Sequence, residues 1–422
     1  MPRGAIGSRT NWAGNLTYGA DRYVAPRTIS EVQEVVRSAD KIRAVGSRHC
    51  FNDIADTNGA QVSLEHMNSI LALDRTRRRV TVEGGIRYGE LGAYLHGEGY
   101  ALHNLASLPH ISVAGACATA THGSGGHGNL ATAVVEVEII DGRGDQINLS
   151  RETDGDTFAG AVVNLGALGI VSKLTLTIEP AFNIRQDVYR DLPFAALESR
   201  FEEIMASGYS VSLFTSWRGD FVEQAWIKSL AKGDEGFLVR DSLFGARPAR
   251  TNMHPINLEA VNCTAQMGVP GPAYDRLPHF RMGFTPASGD ELQVEYYVPI
   301  EHAIPAIRAL REQGLMMADL LLVGEIRTIG ADDLWLSPCY QTPCVAFHFS
   351  FKQDWSRLKT ILLSLESALA PMHPRPHWGK LFAASAESIQ ACYPRLVDFR
   401  ELRRLRDPDN KFCNAFIERR LL

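Results

Sequence analysis

The stretch VGSRHC (residues 45–50) ends the apolar segment IRAV (42–45), passes through a turn of small residues and places His49 directly after that turn. A second glycine-rich stretch, THGSGGHGN (121–129), follows about seventy residues later and also carries histidines. Loops of this kind can bind a diphosphate through their backbone N–H groups. Small hydroxyl residues surround the two loops, and they would suit a pyrophosphate held without lysine: Ser47, Ser107, Ser112, Thr119 and Thr121. Either loop taken alone fits a simple tight turn better than a phosphate site.

The segment GSGGHG (123–128) matches the dinucleotide pattern G-x-G-x-x-G literally. A Rossmann site, however, needs a strand before the first glycine and a helix that opens at the last one. Here the following residues, NLATAVVEVEII, soon alternate between apolar and polar, which is typical of a strand. A nicotinamide dehydrogenase is therefore the weakest functional hypothesis.

Composition indicates a globular protein of more than one domain. The chain has 422 residues, 45% of them hydrophobic and 22% charged, and a formal net charge of −5. These values argue against a nucleic-acid partner, and no stretch reaches the roughly 18 apolar residues of a membrane span. The first residues lack the apolar core of a signal peptide. We therefore expect a cytoplasmic monomer that binds no nucleic acid and no membrane.

The seven cysteines form no C-x-x-C pair, so they indicate reduced thiols and no metal site.

The order of predicted elements indicates an α+β protein. Residues 28–39 begin with the capping-box pattern Thr28/Glu31 and continue at helical spacing, and 134–149 form a hairpin that turns at Asp141-Gly142. After Pro180 the chain has longer alternating strands and one helix ended by Gly314, which indicates a second unit built on an antiparallel sheet. The four alternating strands are 209–217, 291–299, 323–330 and 344–352.

Two of these strands carry charged or polar side chains on one face. Glu325 and Arg327 are two residues apart, so both side chains leave the same face of their strand. In VAFHFSFK the phenylalanines share one face, and His348 and Ser350 share the other. Such polar faces fit either a solvated sheet or a pocket in which each hydroxyl of a polyol meets a donor or acceptor.

Taken together, the motifs resemble those of the vanillyl-alcohol-oxidase type of flavoproteins, and more narrowly the alditol oxidases and sugar-lactone oxidases. The resemblance runs from Asn11 to Phe416 through VGSRHCFND, NLASLPHISVAGACATATHGSG, LGALGIV, EIRT, RPHWGK and KFCNAF, in that order. It implies a two-domain α+β fold. Residues 1–180 would form an FAD-binding domain (PCMH-type), 181–377 an inserted substrate or cap domain built on an antiparallel sheet, and 378–422 a segment returning to the FAD domain.

The same resemblance implies that His49 is joined covalently to FAD. A neutral imidazole is a competent nucleophile near pH 7, which agrees with this role. The family more often has Gly-Ser-Gly-His-Ser here, whereas this chain has Arg48 and Cys50. Further FAD contacts carry over to Val45, Gly46, Ser47, Arg48, Cys50, Ser107, Ser112, Gly115, Thr119, His122, Val171 and His377.

The polyol-contacting positions of the relatives match Ser107, Glu325, Arg327, Ser350 and Lys380, with Ser350 standing where alditol oxidases commonly have threonine. Arg327 and Lys380 would stabilise the developing alkoxide, and Glu325 would orient Arg327. His348 is expected just behind these groups. The implied reaction oxidises the terminal alcohol of xylitol or sorbitol to the aldose, with hydride transfer to flavin N5 and electron transfer to O₂, giving H₂O₂. The alternatives are a sugar-1,4-lactone oxidase or dehydrogenase of the same fold, and a flavin- or sugar-binding protein without turnover.

Overall fold

The structure is a computed structural model that describes residues 9–231, 242–256, 258–283 and 291–422. Within these ranges the helices are α1 Ile29–Ser38, α2 Tyr88–Gly97, α3 Val113–Ala118, α4 Arg151–Val162, α5 Phe194–Ser199, α6 Phe201–Met205, α7 Ala273–Arg276, α8 Ala303–Glu312, α9 Gly314–Met317, α10 Trp355–Leu369, α11 Ala386–Cys392, α12 Leu396–Arg406 and α13 Ala415–Leu421. The strands are β1 Arg22–Val24, β2 Ile42–Ala44, β3 Ala60–Val62, β4 Ile70–Asp74, β5 Arg79–Glu83, β6 Tyr100–Ala101, β7 Val134–Ile140, β8 Gln146–Ser150, β9 Ile170–Thr177, β10 Glu179–Pro180, β11 Asn183–Pro193, β12 Ser210–Thr215, β13 Phe221–Leu230, β14 Arg247–Pro248, β15 Gly271–Pro272, β16 Glu291–Pro299, β17 Leu321–Ile329, β18 Cys344–Lys352 and β19 Arg375–Pro376. The predicted α+β class is confirmed.

The first part of the chain is a small parallel sheet of order β1-β3-β2 beside helix α1. Val32 and Val36 of α1 are fully buried in a core shared with Ile42 and Val62. The predicted helix start is correct in part. Thr28 Oγ1 accepts from the N–H of Glu31, but the Glu31 carboxylate accepts from the N–H of Arg27 instead of closing the capping box on Thr28.

An antiparallel sheet of order β4-β5-β9-β7-β8 forms the second layer of this part. The predicted hairpin is confirmed, because β7 and β8 pair antiparallel around the turn at Asp141-Gly142. The glycine segment 123–128 is followed by one 3₁₀ turn, Leu130–Ala133, and then by strand β7. This geometry confirms that the segment is not a Rossmann loop.

Strands β11 to β19 form one large antiparallel sheet of order β14-β11-β13-β12-β17-β18-β16-β19, with β15 pairing β11. Helices α8 and α10 pack together on one side, and Phe347, Phe349 and Phe351 of β18 are fully buried in the core. The prediction that Gly314 ends a helix needs correction. Helix α8 ends at Glu312, and Gly314 begins the short helix α9. The domain boundaries at 180 and 377 remain predictions.

The end of the chain lies against the first strands. The Arg43 guanidinium donates to the carbonyls of Gly166 and Phe412, both at 2.8 Å, and of Leu165 at 2.7 Å, and it also contacts the carbonyl of Ile54. The Ile42 N–H donates to the carbonyl of Lys411 at 2.9 Å. One buried side chain therefore joins three stretches that lie far apart in sequence.

In the described part of the chain, no helix is both long and apolar enough to span a membrane.

Candidate active site

The first loop is held in place by backbone contacts on both sides of His49. The Val45 N–H donates to the Val62 carbonyl at 2.8 Å, which continues the pairing of the parallel sheet. The Trp12 N–H donates to the Arg48 carbonyl at 2.8 Å, and the Trp12 indole stacks on the His49 ring at 5.2 Å with an interplanar angle of 18°. The loop is thus fixed independently of any ligand.

Arg48 adopts a backbone conformation that glycine prefers, with φ of +62°. Its sequence position is the one where the flavoprotein motif more often has glycine. The left-handed conformation of the motif is therefore retained despite the side chain, at a cost of about 1 kcal/mol or more for a non-glycine residue.

Residues 107–119, which we call the second loop, precede the second glycine-rich stretch and contact the first loop through Ser112. A Cβ atom added to Gly46 would lie 2.3 Å from Ser112 Oγ, and one added to Gly115 would lie 2.8 Å from it. The Ser112 N–H also donates to Ser47 Oγ at 3.3 Å, and Thr119 Oγ1 donates to the Gly115 carbonyl at 3.0 Å. The two glycines are required by this close approach, which brings the predicted loops together.

His49 is set up as a neutral imidazole. Burial, together with the nearby His110, lowers the pKa of His49 to about 4. Its Nδ1 lies 3.0 Å from the Ser47 carbonyl. Burial also raises the pKa of the neighbouring Cys50 thiol to about 12. Cys50 is therefore a poor candidate for a second covalent link, because the thiolate is the reactive form.

Two adjoining cavities run along these loops, and the predicted residues line them. The larger, which we call the cofactor cavity, has a volume of about 950 Å³, and the smaller, the substrate chamber, about 230 Å³. The predicted FAD contacts on the cofactor cavity are Val45, Gly46, Ser47, Arg48, His49, Cys50, Ser112, Gly115, Thr119 and Val171. The remaining three, Ser107, His122 and His377, line the substrate chamber. The five predicted substrate residues line it too: Ser107, Glu325, Arg327, Ser350 and Lys380.

The floor of the substrate chamber is the polar face of three neighbouring strands. In strand register, His348 of β18 lies between Glu295 of β16 and Glu325 of β17. One step along, Ser350 lies between Gln293 and Val323. Successive rows on one face of a sheet are roughly 7 Å apart, because side chains alternate and each residue rises about 3.4 Å. The chamber therefore has an end where charged side chains meet, which we call the charged end, and beside it a row of uncharged donors and acceptors. Glu291 of β16 lies beyond that row.

Lys380 is held at the charged end by Glu295. The ammonium contacts the Glu295 carboxylate, and Nζ lies 2.7 Å from His348 Nδ1. Glu295 also accepts from His122 Nε2 at 2.6 Å. Burial alone would raise the pKa of Glu295, but Lys380 and His122 outweigh that effect and hold it well below the usual range. Burial lowers the pKa of Lys380, an effect that Glu295 partly opposes. His348 was expected behind the site, but it lines the chamber itself.

Glu325 and Arg327 form a bidentate pair at the same end, with both contacts at 2.5 Å. Arg327 Nη2 also donates to Ser107 Oγ at 2.5 Å, which connects the sheet to the second loop. Burial would raise the pKa of Glu325, but Arg327 and His279 hold it well below the usual range. The two carboxylates of the charged end are thus anions, each satisfied by a neighbouring cation or imidazole.

Sequence reasoning missed several side chains of this chamber. Glu291, Gln293 and Glu295 alternate on β16 and all face the chamber, a pattern visible in ELQVEYYVP. His279 contacts both Glu325 and Arg327 but lies in an irregular segment, where no periodicity indicates its direction. His377, by contrast, was predicted as an FAD contact. It stacks on Tyr297 at 6.2 Å, and burial lowers the pKa of His377 to about 3.

The cofactor cavity fits FAD in size and chemistry. Its volume lies at the upper end of the range of roughly 300–1,000 Å³ found for ligand and cofactor sites. Two buried polar atoms on the walls of the cavities, Tyr18 Oη and His110 Nδ1, have no hydrogen-bond partner in the described part of the chain. A group rich in donors and acceptors would supply such partners.

Family models match both parts of the chain. The model of the FAD binding domain matches residues 20–150, which include His49 and the whole second loop. The model of D-arabinono-1,4-lactone oxidase matches residues 290–420, which include Glu295, Glu325, Arg327 and Lys380. Residues of the first matched stretch line both cavities, and residues of the second line the substrate chamber.

Similarity to known proteins extends over nearly the full length of this chain. The chain is 45% identical to the alditol oxidase of Streptomyces sp. (strain IKD472 / FERM P-14339) over 414 residues, covering 97% of each chain. It is 27% identical to the L-gulono-1,4-lactone dehydrogenase of Mycobacterium tuberculosis, over 97% of this chain and 98% of that protein.

Among solved structures, the cholesterol oxidase of B. sterolicum superposes with a TM-score of 0.79 at 15% identity, covering 100% of this chain and 99% of that one. At this identity the likeness concerns the fold alone, and it confirms the predicted α+β fold of the vanillyl-alcohol-oxidase type.

Proposed function

Because this chain belongs to the family of FAD-dependent oxidoreductases that includes alditol oxidase, we propose that it oxidises the terminal primary alcohol of small linear polyols, such as xylitol and sorbitol, to the aldose. O₂ would be the electron acceptor and H₂O₂ its product. The observation that carries this proposal is the substrate chamber, in which Arg327 and Lys380 stand at one end and Ser350 and Gln293 further along. A linear molecule with one reacting hydroxyl and several further hydroxyls matches a chamber with two cations at one end and hydrogen-bonding side chains along the rest.

FAD, when bound, supplies the acceptor for the hydride and the electron carrier to O₂. We infer that the cofactor cavity holds it and that His49 is its covalent attachment point. A neutral ring with a pKa of about 4 has a free electron pair at working pH, as a nucleophile needs. The stack on Trp12 restricts rotation of the ring.

In the proposed reaction, Arg327 and Lys380 stabilise the negative charge that develops on the substrate oxygen. The side chains of both cations are restrained. Glu325 binds Arg327 through two contacts, and Glu295 binds Lys380. Groups fixed in this way stabilise a transition state without reorganisation. Ser107, which accepts from Arg327, lies where a substrate hydroxyl could replace that contact.

The hydroxyl proton needs an acceptor at the same end of the chamber. We infer that Lys380 Nζ takes up this proton as it gives one of its own to His348 Nδ1, 2.7 Å away, so that the lysine stays a cation and the imidazole ends protonated. Burial and the neighbouring Lys380 lower the pKa of His348, so its ring is neutral and has an acceptor nitrogen. The C1 hydrogen leaves with its electron pair, so the alcohol loses two electrons and two hydrogens and becomes the aldehyde.

A sugar-1,4-lactone oxidase or dehydrogenase is the second candidate. The match of residues 290–420 to D-arabinono-1,4-lactone oxidase favours it, because that stretch carries much of the chamber floor and Lys380. A lactone ring presents a secondary alcohol beside a carbonyl, which the same two cations could polarise. A flavin- or sugar-binding protein without turnover is less consistent with two cations at one end of a buried chamber.

The first test is the absorbance of the purified protein before and after acid precipitation. Yellow colour that stays with the pellet would support the covalent link, and colour released to the supernatant would leave FAD as a dissociable cofactor. An H₂O₂ assay with xylitol, sorbitol and aldono-1,4-lactones then separates the two candidates. Activity with lactones and none with polyols would overturn the polyol proposal. Binding of FAD or a polyol without turnover would favour a flavin- or sugar-binding protein.

We also expect the protein to act as a monomer in the cytoplasm. The seven cysteines are free thiols, as a reducing compartment would maintain them. Light scattering on the eluting protein measures the monomer directly, and a stable dimer would contradict it.

A further inference from the structure

A buried lysine lies behind the charged end of the substrate chamber. Lys228 of β13 is 1% exposed, and its ammonium has three neighbours in the segment 277–279. It contacts the carbonyl of Leu277, donates to the carbonyl of Pro278 at 3.0 Å, and lies 3.2 Å from His279 Nδ1. Burial and Arg327 lower the pKa of Lys228, whereas three acceptors around Nζ match the three N–H bonds of an ammonium. Lysine is almost never fully buried without a specific partner.

The contacts around His279 identify its tautomer. Arg327 Nη2 has two hydrogens, and these are directed to Glu325 Oε2 and Ser107 Oγ, both at 2.5 Å. Nη2 also lies 3.1 Å from His279 Nε2, and Ser212 Oγ lies 3.3 Å from it, but both contacts are longer than that of the Glu325 carboxylate, which can only accept. His279 Nε2 therefore carries the proton and donates to Glu325 Oε1 at 2.9 Å. Nδ1 is left with its electron pair, which accepts from Lys228.

His279 is also fixed by its backbone. The N–H groups of His279 and Phe280 both donate to the Ser107 carbonyl, at 3.1 and 3.2 Å. The segment thus touches the second loop through its backbone and Glu325 through its side chain. Burial lowers the pKa of His279 to about 3, which agrees with a neutral ring carrying one N–H.

We propose that His279 is a positioning residue for the oxidation, and that Lys228 holds it in the Nε2–H tautomer in which it fixes Glu325 and, through Glu325, directs the Arg327 guanidinium at the reacting hydroxyl. This inference rests on the proposed function. Without the His279 contact, Glu325 would keep its bond to Arg327 but lose the support on the opposite side of its Oε1 atom. The guanidinium and carboxylate could then shift together.

The first test compares two substitutions of His279 by anaerobic reduction of the bound flavin with xylitol. Gln retains an N–H group that can reach Glu325, whereas Leu does not. We expect His279→Leu to lower the limiting reduction rate by about 10²-fold, as small displacements of catalytic groups do. Flavin content and the apparent Kd for xylitol should stay unchanged, and His279→Gln should recover most of the rate. Equal rates in wild type and His279→Leu, or equal losses in both variants, would overturn the proposal.

The second test determines the tautomer of His279 by NMR and does not depend on catalysis. In protein labelled with ¹⁵N-histidine, the His279 signals are those missing from His279→Gln. We expect a protonated Nε2 and an unprotonated Nδ1 in wild type, and a change of that pattern in Lys228→Met. A proton on Nδ1 in the wild type would overturn the proposal. If the wild type were reduced by neither polyol nor lactone, the proposed function would fail while the tautomer measurement still decided the role of Lys228.

Discussion

Asn52 Nδ2 donates to the main-chain carbonyl of Lys380 at 2.7 Å, although 328 residues separate the two positions. The same amide donates to the Trp378 carbonyl at 2.8 Å, and the Phe51 N–H donates to the Gly379 carbonyl at 2.7 Å. The loop that carries His49 and the loop that carries Lys380 are therefore joined backbone to backbone. The distance between the expected flavin attachment and the substrate cation is set by this junction.

We expect Asn52→Ala to weaken the fold as well as the site. The substitution leaves two carbonyls without their donor, which costs about 1–3 kcal/mol for each buried group left unsatisfied. Urea unfolding of the variant measures the loss, and Asn183→Ala, at an exposed position of β11, is the matched control. A variant as stable as the wild type would contradict the prediction that the Asn52 hydrogen bonds stabilise the fold.

Replacing Lys380 or Arg327, the two cations of the substrate chamber, should slow turnover strongly without releasing the cofactor. In Lys380→Met and Arg327→Met we expect an unchanged flavin spectrum and a loss of about 10²–10³-fold in the rate of reduction by xylitol, the range known for single charge-stabilising groups. Stopped-flow absorbance measures both quantities. Lys352→Met, which changes an exposed lysine at the end of β18, should behave as the wild type. Normal reduction in either chamber variant would remove that residue from the mechanism.

His49→Ala should lose the covalent link and keep the cavity. The side chain lines the cofactor cavity, so its removal frees space and leaves the other contacts in place. We expect FAD to be released to the supernatant by acid, where the wild type retains it in the pellet. His127→Ala, at an exposed histidine of the second glycine stretch, should retain it. Retention of flavin by acid-treated His49→Ala would mean that another residue is the attachment point.

Ser350→Thr tests the length of the substrate. Ser350 lies one row beyond His348 on the chamber floor, between Gln293 and Val323. An added methyl group there narrows the chamber away from the charged end, and one methylene group in a pocket changes discrimination between substrates by about tenfold or more. We expect kcat/KM to fall further for sorbitol, with six carbons, than for xylitol, with five. A parallel change for both substrates would show that the distal carbons lie elsewhere.

Buried histidines should make the fold sensitive to acid. Burial lowers the pKa of His279 and of His377 to about 3, against about 6.5 for a free histidine. Below pH 6.5 the unfolded chain binds a proton at each position and the folded chain does not. Stability is therefore complete above pH 6.5 and falls as the pH decreases toward 3, by up to about 1.4 kcal/mol per pH unit for each residue.

Urea unfolding at pH 7.0, 6.0 and 5.0 measures this slope. His279→Gln should show a shallower dependence, since the unfolded chain then has one proton-binding histidine fewer. His127→Gln, at an exposed position, is the matched control. An unchanged slope in His279→Gln would mean that another group causes the sensitivity.

The sequence predicted which side chains share a face but not which faces meet. Alternation alone put Glu325 with Arg327 and His348 with Ser350, and the strands confirm both pairs. The same alternation was present for Glu295, yet its importance depends on the register that sets it beside His348. Register is fixed by long-range pairing and turn geometry, which one strand does not encode.

His279 and Lys228 were hidden for different reasons. His279 lies in a segment without periodicity, so its direction follows from contacts with Glu325 and Lys228 that only the folded chain provides. Lys228 belongs to a strand whose neighbours are mostly buried, where a charged side chain is rarely expected. Arg48 shows the opposite case. Its sequence departs from the glycine of the motif, but its backbone keeps the conformation that the motif requires.

The hydrogen bond from Arg43 to the Phe412 carbonyl links folding of the early strands to the synthesis of a much later segment. Translation proceeds at about 5–20 residues per second, so the strand carrying Arg43 leaves the ribosome tens of seconds before its partner does. Lys380, which Asn52 joins to the loop that carries His49, is also made long after that loop. The strand that carries Arg43 therefore reaches its native contacts only after Phe412, 369 residues further along the chain, has been synthesised.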